Sequence, residues 1–114
     1  MKRIVARFFR QDSGREPVRD WLLDLEPADR KIIGKDIATV EYGWPLGMPV
    51  CRALRDGVHE TRSTIRSGKV EARVYFLVDD GVMVLLHAAA GKDRQKDDIE
   101  RALVRAASHH GRNA

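Results

Sequence analysis

The chain has 114 residues and a single cysteine, which suits one domain with one core and excludes an internal disulfide or a multi-cysteine metal site. Its composition, 43% hydrophobic and 33% charged, is that of a folded globular protein and excludes a disordered chain. A formal charge of +4 and a pI near 9.6 leave two readings open, a polyanionic or acidic partner and a merely basic, solvated surface.

Residues 2–9 are rich in β-branched and aromatic residues with basic flanks, which predicts a strand and not a signal peptide. No apolar run approaches the ~20 residues that span a bilayer, and the expected location is the cytoplasm. Ser13-Gly14-Arg15-Glu16 has the capping-box spacing, and Pro17 follows where a first helical turn lacks intrahelical N–H partners anyway. Val18, Trp21, Leu22 and Leu25 then fall at i, i+3, i+4 and i+7, one helix face. A second helix opens at Pro27, carries Ile33, Ile37 and Val40 on one stripe and ends near Gly43; the short joint predicts an antiparallel helical hairpin. "GWPLGMP" (43–49) reads as a loop pinned to the core by Trp44 and Leu46.

Three strands follow at about 57–66, 69–78 and 82–88, joined by Ser67-Gly68 and Asp79-Asp80-Gly81 as an antiparallel meander. Alternation puts Glu60, Arg62 and Thr64 on one face of the first, and Glu71, Arg73 and Tyr75 on one face of the next. Val74, Phe76 and Val78 point the other way. One face is thus expected to be apolar for the helices and the other to show charge to water. A last helix from about Gln95 aligns Ile99, Ala102, Leu103 and Ala106, and residues 109–114 read as a flexible tail after a single domain of 1–108. The expected class is α+β: a twisted antiparallel sheet of about four strands, an N-terminal helical hairpin and a C-terminal helix.

Arg62, Arg73 and Lys92 in one cleft would hold a phosphate, since guanidinium forks match phosphate oxygens and an ammonium adds a point charge. The same arginines would equally serve as cross-strand partners of Glu60 or Glu71. His87, closing an apolar strand, is either a core imidazole satisfied by a backbone carbonyl or a proton shuttle beside that phosphate. Cys51, with no adjacent base, reads as a small core residue. His109-His110 has poor metal spacing, and no P-loop, GxSxG or HExxH motif occurs, so no metal site and no cofactor are expected.

"GREPVRDWLLDL", "DRKIIGKDIATVEYGWPLGMP", "LRDGVHETRS", "ARVYFLVDDGVMVLLHA" and "GKDRQKDDIERA", in that order, resemble the phage-derived, HigB-like branch of the RelE/ParE toxin superfamily over nearly the whole chain. The resemblance implies a RelE-like fold with a basic concave face, and a metal-independent endoribonuclease that cuts messenger RNA in the ribosomal A site through attack of the ribose 2′-OH on the adjacent phosphate. By position it implies catalytic roles for Arg62, Arg73 of "RVYF", Lys92 of "AGKDR" and Glu60, with His87 beside them. Arg66, Lys69, Arg94, Lys96 and Tyr75 would contact RNA. The implied partners are a cognate antitoxin of helix-turn-helix type encoded next to it, the messenger and the ribosome; no membrane is involved. The superfamily also offers a gyrase inhibitor of ParE type without nuclease activity, or an inactive phage remnant that only binds its antitoxin. After the last strand "LHAAAGKDRQKD" departs from the branch's usual "LHGFxKKTxKTP", and His59 stands where it commonly has a tryptophan.

Overall fold

A computed structural model describes residues 1–91 and 94–112. The elements run β1 (Val5–Phe8), α1 (Pro17–Leu23), α2 (Pro27–Gly43), β2 (Cys51–Ala53), β3 (His59–Ile65), β4 (Val70–Asp79), β5 (Val82–Ala90) and α3 (Gln95–Arg112). The class is α+β, as expected, but the sheet has five strands in the order β1-β5-β4-β3-β2 and is mixed, because β1 lies parallel to β5 with Val5 opposite Val82 and Phe8 opposite Leu85. The extra strand is β2, three residues at the edge paired antiparallel to β3, too short to carry a periodic signal.

The first helix starts differently from its sequence signal. The capping box does not form: Glu16 is the N-cap and makes no side-chain cap hydrogen bond, while Ser13 Oγ accepts from the Arg15 N–H at 3.4 Å in the preceding turn. Pro17 takes the first helical position, where its fixed φ suits the helix and its missing N–H costs nothing. The helices α1 and α2 share the sheet as their floor, α1 over β5 and β1, α2 over β3 and β1. Arg30 joins them, donating from Nε to Leu22 O and from Nη2 to Leu25 O, each at 3.1 Å, which satisfies carbonyls at the end of α1.

Under these helices Val18, Ile33, Ile37 and Val40 pack against Ile65, Ala72, Val74, Phe76, Met83 and Leu85, with Cys51 buried among them. Burial raises the Cys51 thiol above its ordinary value, as befits a core residue. Trp44 and Leu46 pack on this core and hold the 43–49 loop, Trp44 meeting Phe76 and His59 edge-on. Two buried carboxylates fasten the periphery. Glu41 accepts from the Ala6 N–H at 2.8 Å and from Lys2 Nζ at 3.2 Å, tying β1 to α2. Asp29, in the first turn of α2, accepts from the Arg66 N–H at 3.0 Å and fixes the β3–β4 turn, where Arg66 and Ser67 both adopt positive φ.

The opposite face is not left to water. Tyr75, Leu77, Val84 and Leu86 form a second cluster with Phe9, Val58 and the buried Ala102 and Ala106 of α3. The expectation of an open charged face failed because α3 is amphipathic and needs an apolar floor, which Tyr75, Leu77 and Leu86 supply. The helix α3 extends through residues 109–112, with His109 Nε2 2.9 Å from Asp79 Oδ2, Arg112 Nη2 donating to Asp12 Oδ1 at 2.6 Å, and Arg112 stacked over Phe9. Among the described residues no helix is long and apolar enough to cross a membrane.

Candidate functional site

On the face covered by α3, register sets Arg62 directly opposite Arg73, Glu60 opposite Tyr75 and Thr64 opposite Glu71. Two arginines facing each other would repel, and the carboxylates two residues away on each strand resolve this diagonally. Arg73 Nε stands 3.2 Å from Glu60 Oε2, Arg73 Nη2 donates to Glu71 Oε2 at 2.9 Å, and Arg73 Nη1 donates to Gly91 O at 3.2 Å. Arg62 Nε donates to Glu60 Oε2 at 3.2 Å and lies 3.6 Å from Glu71 Oε1. From the edge strand Arg52 Nη1 approaches Glu60 Oε1 at 3.9 Å. The exposures separate two roles: the Arg73 side chain is 5% exposed and Glu60 0%, whereas Arg62 is 35% exposed. Arg73, which the sequence offered both as a phosphate ligand and as a cross-strand partner, is here the partner.

Among the described residues, three buried side-chain atoms of this cluster have no hydrogen-bond partner: Glu60 Oε1, Arg73 Nε and Tyr75 Oη. Arg73 Nε is close to Glu60 Oε2 but not aligned for a hydrogen bond, so its attraction there is electrostatic. Burial pushes the Tyr75 phenol up to about 12, with Glu60 and Asp98 adding to the rise and Arg73 and Arg62 opposing it, so Tyr75 is a neutral hydroxyl.

His87 reaches this face through an irregularity in β5. Tyr75 pairs with His87 but Phe76 pairs with Leu85, leaving Leu86 as an extra residue. Such a bulge re-aims the side chains beyond it. Strict alternation from Val82 and Val84 would send His87 into the α1/α2 core; the bulge turns it toward α3 instead, stacked on Tyr75 at 5.8 Å. Its nitrogens are both engaged. Arg105 Nη1 donates to Leu86 O at 2.9 Å and lies 3.2 Å from His87 Nδ1; a guanidinium has no acceptor, so Nδ1 accepts and Nε2–H donates to Asp98 Oδ1 at 2.8 Å. Burial lowers the His87 pKa, Asp98 opposes, and Arg105 and Arg101 lower it further, which keeps the ring neutral. The imidazole is satisfied, though by two side chains of α3 and not by the backbone carbonyl the sequence offered.

Four exposed cations, Arg66, Lys69, Arg94 and Lys96, lie toward one end of the sheet. Gly91 N–H donates to Glu71 O at 2.9 Å, which brings the β5–α3 connection beside the start of β4 and the Arg66–Lys69 turn. Arg66, Lys69 and Arg94 are exposed and, among the described residues, have no ion-pair partner; Lys96 is likewise exposed on the first turn of α3. A cavity of about 280 Å³ lined by Ala89, Ala90, Gly91, Arg94 and Asp98 opens beside the carbonyl that holds Arg73. Lys92 lies outside the described residues. Among those described, no group of His, Cys, Asp or Glu is arranged to hold a metal.

Sequence reasoning missed Arg52, Asp98 and Arg105. Arg52 sits on a strand too short to detect, and Asp98 and Arg105, seven residues apart on one helical stripe, become partners of His87 only once the bulge has turned it.

A family model described as phage-derived protein Gp49-like matches residues 20–107, from within α1 to within α3, and so takes in every residue of the charged cluster. No curated protein matches the chain.

Proposed function

The chain belongs to the Gp49-like family of phage-derived proteins, and from that premise we propose that it is the toxin of a type II toxin–antitoxin pair, a ribosome-dependent messenger RNA endoribonuclease acting in the cytoplasm. The observation that carries this reading is the convergence of Arg62, Arg66, Lys69 and Arg94 at one end of the sheet, around a buried network whose own charges are balanced. Paired carboxylates hold Arg73 and share Arg62, which is still 35% exposed, while Arg66, Lys69 and Arg94 have no ion-pair partner among the described residues and suit an anion larger than one group.

In this scheme the Arg62 guanidinium faces the scissile phosphate and stabilises the charge that gathers on it, while Arg94, Arg66, Lys69 and Lys96 hold flanking phosphates. Lys92, next to Gly91 in the chain, belongs to the same proposed set. The ribose 2′-oxygen attacks phosphorus as its proton passes to solvent water, and the bond from phosphorus to the 5′-oxygen breaks; Glu60, 0% exposed, orients Arg62 and does not meet the ribose. The 5′-oxygen takes a proton from water, leaving a 2′,3′-cyclic phosphate and a 5′-hydroxyl. Arg73 and His87 are positioning residues here, the first aligning Glu60 and Glu71, the second holding α3. Tyr75, buried beneath them, supports the strand and does not reach RNA. The partner that restrains the toxin is a helix-turn-helix antitoxin.

The neutralisation of Arg73 favours a second reading, a protein of the same fold that binds without cutting, as a gyrase inhibitor or an antitoxin-binding remnant. Induced expression with and without the adjacent reading frame, followed by mapping of transcript ends, separates them. New ends within translated codons, suppressed by the neighbour, are the expected result. Intact transcripts with broken or abnormally supercoiled DNA would establish the gyrase reading, and no damage at all the remnant.

A further inference from the structure

On the β1 side of α3, away from the Arg62 cluster on the β3 side, lies a groove of about 430 Å³ between the helix and the loop that follows β1. We propose that this groove binds the phosphate group of a small organic phosphate ester. Its donors are Arg101, Arg105, Ser13, Ser108 and Gln11, and Phe9 and Val104 supply apolar surface beside them.

Arg101 and Arg105 stand one turn apart on the same stripe, where like charges repel. Arg101 is exposed and has no ion-pair partner among the described residues, and its charge already weighs against that of Arg105. Arg105 spends Nη1 on Leu86 O and His87, and its remaining N–H groups have no acceptor among the described residues. Arg112, the third arginine of the groove, is consumed by Asp12 and by the Arg10 carbonyl. The groove therefore holds two uncompensated guanidinium groups, flanked by hydroxyls that donate to the remaining oxygens of a tetrahedral anion. Its volume is that of a small-molecule site.

The neighbourhood decides against a polyanion. Toward the N-terminus of α3 the adjoining depression sets three carboxylates, Asp97, Asp98 and Glu100, against Arg94 and Arg101, a net negative lining that a run of phosphates continuing from Arg101 would meet. One phosphate with an organic substituent, its apolar part against Val104, which is 68% exposed, fits the charge and the surface. Two sources carry that chemistry, a free nucleotide-like ester and the terminal phosphate of an RNA.

The test is an amide-resonance titration of the full chain at constant ionic strength with adenosine 5′-monophosphate, inorganic phosphate, acetate, and a trinucleotide with and without a 5′-phosphate. Adenosine monophosphate should shift residues 11–13 and 101–108 saturably and bind at least about tenfold more tightly than acetate, roughly 1.4 kcal/mol. Arg101→Glu and, separately, Ser108→Asp should each weaken it about tenfold or more with an unchanged circular dichroism spectrum. Equal binding of the phosphorylated trinucleotide assigns the site to RNA ends, and binding of the mononucleotide alone assigns it to free esters. Shifts that do not saturate, that match acetate, that lie outside the groove or that survive both substitutions would overturn the proposal.

Discussion

Arg73 and Glu60 meet on neighbouring strands with Nε and Oε2 3.2 Å apart, and neither side chain is more than 5% exposed. A charge so placed is stable only while its partner is present, since removing one member leaves the other buried and uncompensated.

Arg73→Ala should therefore cost about 3–5 kcal/mol of stability, the range for breaking a buried pair. Urea unfolding measures it. A loss below about 1 kcal/mol would mean that Arg73 is exchangeable with water and free to hold an external anion.

Arg62→Ala should leave the fold nearly intact, because the residue is partly exposed and such pairs contribute at most about 1 kcal/mol. Cleavage on translating ribosomes should fall by roughly a hundredfold to a thousandfold, the loss seen when one donor to a developing oxyanion is deleted. Undiminished cutting by folded Arg62→Ala would remove the phosphate contact from the proposed mechanism.

Stability should decline on acidification through the titration of His87. Its folded pKa lies below the ordinary 6.5, so the unfolded chain takes up the proton first. The contribution is complete above about pH 6.5 and is lost as pH falls from there through the lowered folded value. Replacing the ring by an uncharged amide, His87→Gln, should flatten the denaturation midpoint between pH 7 and pH 5, relative to the parent. An unchanged slope would show that other groups govern the acid limb.

Asp29→Ala should leave the Arg66 N–H without its acceptor at a turn of positive φ, at a cost of about 1–3 kcal/mol. Asp29→Asn, which keeps a carbonyl oxygen in place, should cost less. Hydrogen exchange at Arg66 distinguishes them: fast in the alanine variant, slow in the asparagine variant.

What could be read from the sequence followed from local rules. The stripe Ile33, Ile37 and Val40 marked α2 with both its bounds, and the Asp80-Gly81 pair marked the β4–β5 turn, where both residues do take positive φ. What escaped depends on pairing between distant segments. Nothing near Val5 says that it will lie beside Val82, and nothing near Leu86 announces a bulge, because Leu86 itself fits an unbroken alternation. The charged residues Glu60, Arg62, Glu71 and Arg73 were legible as one group. Which arginine would be buried was not, since that depends on α3 and the Gly91 carbonyl closing over Arg73 while Arg62 lies one strand further out.

The parallel pairing of β1 with β5 also bears on when this chain acquires its fold during synthesis. Strand β1 leaves the ribosome before residues 82–85, its partner, have been made, a long loop closure that delays the final structure. A nascent or prematurely ended chain stopping before that point carries an unpaired strand and lacks both the Gly91 carbonyl that holds Arg73 and the helix that covers its face. Such fragments expose the apolar residues that attract proteases and chaperones.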